Sequence, residues 1–178
     1  MKKFVLIVLL FFSAMANAQS VMGIKFGSSY EEVKQQLEQR LGKYSVVEKQ
    51  GMLHIWDFNM GSFHFDFGDF YFQYNGDNSY FNEAVFQCYS NGNDVDAMKA
   101  RRDYLYSFIK EKYRYERLGE YINEQGFKCY KFGINPFDET KARGLITLER
   151  AKSNSGEDNL YLMLYYLPIY YIDKSSDF

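Results

Sequence analysis

The chain predicts an α+β fold of two tandem α-β-β-β-β halves, each an antiparallel sheet packed on one face by its helix. Three observations carry this. Two stretches repeat apolar residues at helical spacing, near residues 29–41 and 95–115. Most of the remainder alternates apolar and polar residues with period two, and 20% of the chain is aromatic, mainly Tyr and Phe, which favour strands. Each helical stretch is followed by four strand-like stretches.

The chain opens with Met1-Lys2-Lys3, an apolar run Phe4–Phe12, and small residues ending Ala16-Asn17-Ala18. A basic start, a short apolar core and an A-x-A ending make a signal peptide over 1–18, with cleavage after Ala18. Residues 19–178 are then one globular unit, exported to the periplasm or beyond. With no Cys near the cut, a lipoprotein anchor is not expected, and no later run is long enough for a transmembrane helix.

In the first half, Ser28 and Ser29 precede Glu31 and Glu32 by three residues, so either frame makes a capping box. Val33, Leu37 and Leu41 form the stripe, and Gly42 ends the helix. Strands are expected over Tyr44–Lys49 and Met52–Phe58, around a turn at Gln50-Gly51. In Ser62–Tyr74 the apolar phase changes from Phe63, Phe65 and Phe67 to Phe70 and Phe72, which predicts a bulge at Gly68 or a hairpin at Gly68-Asp69. Asn75-Gly76-Asp77-Asn78 is a turn before a strand over Tyr80–Tyr89.

The second half starts at Asn91-Gly92-Asn93-Asp94, which caps a helix over Val95–Tyr115. Met98, Leu105, Phe108 and Ile109 make its stripe, and Lys99, Arg101, Arg102, Lys110, Lys112 and Arg114 its polar face. Strands follow near Glu120–Glu124, Phe127–Phe132, Gly144–Lys152 and Asn159–Leu167, and Asp173–Phe178 reads as a tail. Leu160–Leu167 is apolar on both faces and is expected at the sheet centre, covered on both sides.

The halves, about 22–91 and 92–172, share an echo. Arg40-Leu41-Gly42-Lys43-Tyr44 returns as Arg117-Leu118-Gly119-Glu120-Tyr121, and Gln50-Gly51 as Gln125-Gly126. Each copy is expected to close a helix and open a hairpin, which favours a duplication. This tandem order resembles the beta-lactamase-inhibitor-protein fold, which implies a concave sheet offered to a protein partner. Gly27-Ser28-Ser29 followed by Val33, Leu37 and Gly42 is also similar to the helix opening of the small lipoprotein of the outer-membrane barrel-assembly machine, though the anchoring Cys is missing. Neither resemblance assigns functional residues.

The formal net charge is −2, and more negative once Lys2 and Lys3 are removed. A nucleic-acid binder needs a basic footprint, so none is expected as a partner. Cys88 and Cys129 are either a disulfide stapling the halves, as an exported chain with two cysteines allows, or two buried thiols. His54 and His64, with Asp57, Asp66 and Asp69 nearby, lack any diagnostic ligand spacing and read as solvent-facing polar positions, so no metal is expected. Acid pairs such as Asp66 with Asp69, or Glu48 with Asp57, occur in any chain this acidic and do not argue for glycoside hydrolysis. No C-x-x-C, H-E-x-x-H, G-x-S-x-G or phosphate-cradling loop is present, so neither a catalytic residue nor a cofactor is expected. Trp56, Tyr71, Tyr74, Tyr89, Tyr130 and Tyr165 are the candidate aromatic platform for a protein partner or, as the alternative, an oligosaccharide or lipid. Two further classes stand behind these: a small hydrolase, and an eight-stranded outer-membrane barrel, against which the charged second helix counts.

Overall fold

The computed structural model describes residues 20–76, 78–153 and 156–167; the expected signal peptide, residues 1–18, and the expected tail Asp173–Phe178 lie outside the described residues. Two short strands, β1 (Ser20–Val21) and β2 (Ile24–Lys25), lead into α1 (Tyr30–Leu41). After a 3-10 turn at Lys43–Ser45 come β3 (Val46–Lys49), β4 (Met52–Met60), β5 (Phe63–Asn75) and β6 (Asn78–Asn91). Then α2 (Val95–Lys112) precedes β7 (Leu118–Ile122), β8 (Lys128–Phe132), β9 (Gly144–Lys152) and β10 (Asp158–Tyr166).

The eight long strands form one antiparallel sheet in the order β3-β4-β5-β6-β10-β9-β8-β7. Its seam is β6 against β10, where Leu162 faces Cys88 and Leu164 faces Phe86. Among the described residues the sheet is open, with β3 and β7 as its edges. Among the described residues no helix is long and apolar enough to cross a membrane.

Both helices pack on one face. Ser29 caps α1 through a complete capping box with Glu32, and Val33 and Leu37 are fully buried. Tyr30 meets Phe72 of β5. On α2, Met98, Leu105 and Ile109 enter the same core as Phe70, Phe86, Ile146 and Leu164. Tyr106 stacks on Tyr130 at 3.7 Å, and Tyr113 meets Phe132. The core is therefore continuous across the seam, and burial of this apolar face is the main force holding helices to sheet.

Several expectations change. The β1–β2 hairpin, missed in the sequence, turns on Met22 and Gly23 with positive φ and puts Val21 and Ile24 in the core. α2 ends at Lys112, so the second echo segment does not close a helix: Leu118-Gly119-Glu120-Tyr121 lies in β7. Gln50-Gly51 is a two-residue hairpin with φ of 40° and 81°. Gln125-Gly126 belongs to a longer loop closed by Asn123, whose side chain accepts from the Gln125 and Phe127 amides. Arg102 is not on the polar face. It is 5% exposed, donates to the Lys128 carbonyl at 2.8 Å and pairs with Asp103.

No hairpin forms at Gly68, and β5 is unbroken. The face changes on both β4 and β5 instead. Trp56 and Phe67 form one rung turned away from the helices, and Phe58 and Phe65 form a rung packed on Phe86 beneath them. Asp57, with φ of 47°, lies between these rungs and takes up the change. Gly68 is required for close approach: a Cβ there would sit 2.6 Å from the Phe86 ring. The register shift between β5 and β6 falls at Tyr71/Phe72. β10 is central as expected, but only one of its faces lies under the helices.

Candidate binding surface

Strand alternation sends every second side chain to the face without helices. The register defines rungs across it. One runs Val47, His54, Asp69, Val85, Tyr165, Leu145, Lys131 from β3 to β8. The next runs Trp56, Phe67, Gln87, Met163, Thr147. Tyr89, Tyr161 and Glu149 make a third, and Met52, Tyr71 and Glu83 a fourth. Among the described residues no helix packs on this face.

Four of the six platform residues belong to it: Trp56, Tyr71, Tyr89 and Tyr165. Trp56 is 49% and Tyr89 50% exposed, and Tyr89 meets Tyr161 with ring centroids 6.3 Å apart. Tyr165 is partly buried, donates to Met163 Sδ at 3.0 Å, and has its hydroxyl pushed up to about 12, chiefly by burial. The other two are placed elsewhere. Tyr130 is core, 4% exposed beneath α2, with its hydroxyl donating to Asp103 at 2.7 Å. Burial is the main cause that pushes it, too, up to about 12. Tyr74 lines a cleft with Tyr30, Glu31 and Tyr80 at the start of α1, and its hydroxyl reaches the Gly51 carbonyl at 3.4 Å.

His54 departs most from its expected role. It is not solvent-facing: it is 4% exposed, and its Nδ1 lies 2.5 Å from Oδ1 of Asp69, itself 7% exposed. The Trp56 ring forms a T-shaped pair with it at 4.0 Å between centroids, and Phe67 stacks at 5.7 Å. Lys49 Nζ lies 4.8 Å from the Trp56 ring centre. Nε2 of His54 has no hydrogen-bond partner among the described residues. A period-two pattern places His54 opposite Asp69 only once the register is known, so sequence reasoning saw both residues but not their pairing. His64 is half-buried, 3.8 Å from Asp57 and 3.6 Å from Asp66. Asp66 accepts the Tyr89 amide at 2.9 Å, holding β6 where its pairing with β5 ends. Among the described residues no group of three or more His, Cys, Asp or Glu could hold a metal ion.

Cys88 and Cys129 are free thiols and do not form the disulfide. They sit on β6 and β8 with β10 and β9 between, and on opposite faces, since Cys88 pairs with Leu162 and Cys129 with Tyr121. Three strand spacings are roughly 14 Å, twice the Cα separation of about 7 Å that a disulfide tolerates. Burial pushes the Cys88 thiol up to about 12 and raises that of Cys129, so neither is a ready nucleophile.

The surface thus offers half-exposed aromatic rings over a rigid sheet, a buried His-Asp pair, and partly buried Tyr71, Tyr161 and Tyr165 between them. Its chemistry is that of apolar contact with a few directed polar groups. Comparison of the chain with protein-family models, with curated proteins and with solved structures yields no match.

Proposed function

We propose that the chain is an exported, non-catalytic binding module that uses this open sheet face to hold a protein partner, of the inhibited-enzyme or envelope-assembly kind. The observation that carries the reading is the helix-free face with Trp56 and Tyr89 half exposed on a sheet fixed from behind by two helices. Large aromatic rings on a pre-organised surface are the side chains that most often dominate protein–protein affinity. The proposal takes the unit as two helix-plus-four-strand halves, about 22–91 and 92–172, joined edge to edge. The strand order, in which each half contributes four successive neighbours and the halves meet at β6 and β10, supports that view. A protein partner is preferred over an oligosaccharide or lipid because the face is broad, and the clefts lined by Tyr30 and Tyr74 or by Gln125 and Arg150 lie away from it.

The test is affinity capture from an envelope and periplasmic extract with tagged residues 19–178 as bait, repeated with Trp56→Ala. A stoichiometric protein retained by the native chain and weakened at least about tenfold in affinity by the substitution supports the proposal, since a central aromatic anchor contributes about 2 kcal/mol or more. A partner that binds Trp56→Ala and Tyr89→Ala as tightly as the native chain overturns the assignment of the face.

A further inference from the structure

Two tyrosine–glutamate pairs stand on the open face without a cation. Tyr71 of β5 lies opposite Glu83 of β6, and Tyr161 of β10 lies opposite Glu149 of β9. In each pair the side chains leave the sheet side by side, about 5 Å apart at Cβ, and all four residues are half-buried. Other acids of this face are already engaged: Asp69 holds His54, and Asp66 accepts the Tyr89 amide. Glu83 and Glu149 have neither a hydrogen bond nor an ion pair among the described residues. The two ammonium groups of the face rest over other rings. Lys49 lies 4.8 Å from the Trp56 ring centre, and Lys131 lies 5.5 Å from that of Tyr121. Burial raises the Glu83 carboxyl, as expected for a carboxylate drawn out of water with no cation to offset the cost.

A guanidinium matches such a pair in both of its parts. Its plane lies flat on an aromatic ring, and its fork of N–H donors meets both carboxylate oxygens. A sugar hydroxyl leaves the carboxylate charge uncompensated, and a lipid chain only buries it further. Along β6 the two pairs are marked by Glu83 and by Tyr89, the partner of Tyr161. At about 3.4 Å per residue these levels are roughly 20 Å apart, with Tyr165 and Met163 between them. We propose that each pair seats one arginine side chain of the protein partner, the guanidinium lying on the tyrosine and forked onto the glutamate. The partner then carries two arginines roughly 20 Å apart on its contacting surface. This rests on the binding face proposed above and adds the chemistry of what it binds: Trp56 and Tyr89 hold apolar surface, and the two pairs hold charge.

The seats are tested first without a partner, by NMR titration of residues 19–178 with N-acetyl-arginine amide. The amides of both pairs should shift saturably, and N-acetyl-citrulline amide, the uncharged isostere, should move neither pair. Glu83→Gln should abolish the shifts at Tyr71 while those at Tyr161 persist, and Glu149→Gln should do the reverse. Shifts no larger than at the exposed Glu124 overturn the seats, as do equal shifts with citrulline or shifts that survive the glutamine variants. A captured partner supplies the second test. One that depends on Trp56 should bind the double variant Glu83→Gln, Glu149→Gln at least about tenfold more weakly, since hydrogen bonds to charged groups are at stake, and with a shallower salt dependence. A partner that depends on Trp56 yet binds the double variant as tightly as the native chain overturns the arginine seats and leaves the binding face standing.

Discussion

Glu83 lies opposite Tyr71 on the open face, and burial raises its carboxyl above the usual carboxylate range. A carboxyl raised in this way binds more protons in the folded chain than in the unfolded one. Stability therefore falls as pH rises from the ordinary carboxylate value through the raised one. Below both values the penalty is absent, and above both it is complete. Glu83→Gln should raise the Tm slightly at pH 7 and leave it unchanged near pH 3, below the ordinary value of about 4; thermal unfolding at the two pH values measures this. An equal shift at both would trace the effect to packing instead. Gly144 shows the steric counterpart. A Cβ there would meet the Tyr165 carbonyl oxygen at 2.2 Å and the Phe132 ring at 2.1 Å, so β8, β9 and β10 can approach only around a glycine.

At the scale of elements, β9 shows how side chains stand in for a missing strand. β8 pairs with β9 only from Phe132↔Gly144 to Tyr130↔Ile146. Beyond that, Asn123 donates to the Leu148 carbonyl, and Gln125 both donates to the Arg150 carbonyl and accepts the Arg150 amide, at 2.9 and 2.6 Å. The β7–β8 loop thereby covers backbone that would otherwise be an open pairing edge. Gln125→Ala should speed hydrogen exchange of the Arg150 amide by about fivefold, the loss of one net hydrogen bond of about 1 kcal/mol, while the amides of β6 and β10 keep their protection. Unchanged exchange at Arg150 would mean the loop backbone alone shields that edge. The capping box of α1 was legible beforehand because Ser29 and Glu32 act within one turn. The Gln125 contact was not, because its partner lies 25 residues on.

For the whole molecule, the seam between β6 and β10 joins two sets of four strands that each carry a helix. Phe86, Cys88, Leu162 and Leu164 meet there, all fully buried, and Tyr166 bridges Phe86 to Phe132. Cutting the chain near residue 92 would expose this apolar row and leave β6 without its neighbour. A fragment of residues 19–92 should lack cooperative unfolding and dispersed amide resonances on its own, and should regain them when mixed with residues 93–178. Cooperative folding of the isolated fragment would show that the seam is an interface between two autonomous halves.

Period-two and helical patterns, caps and turns fixed the order of the long elements from local residues alone, because each such signal is decided within a few positions. They located α1, α2 and eight strands, and they named Trp56, Tyr71, Tyr89 and Tyr165 within a set of six whose other members, Tyr74 and Tyr130, lie elsewhere. They did not decide which face of a strand is covered, since alternation is symmetrical until a register is chosen. For that reason Tyr130 read as a surface residue and became core, and His54 read as surface and became half of a buried pair, while Arg102 on α2 is buried because its guanidinium reaches the Lys128 carbonyl of β8. Nor did local pattern decide that all eight strands form one sheet with β6 beside β10, or that Cys88 and Cys129 face opposite sides. Those are properties of pairing between distant segments, and only the packed sheet sets them.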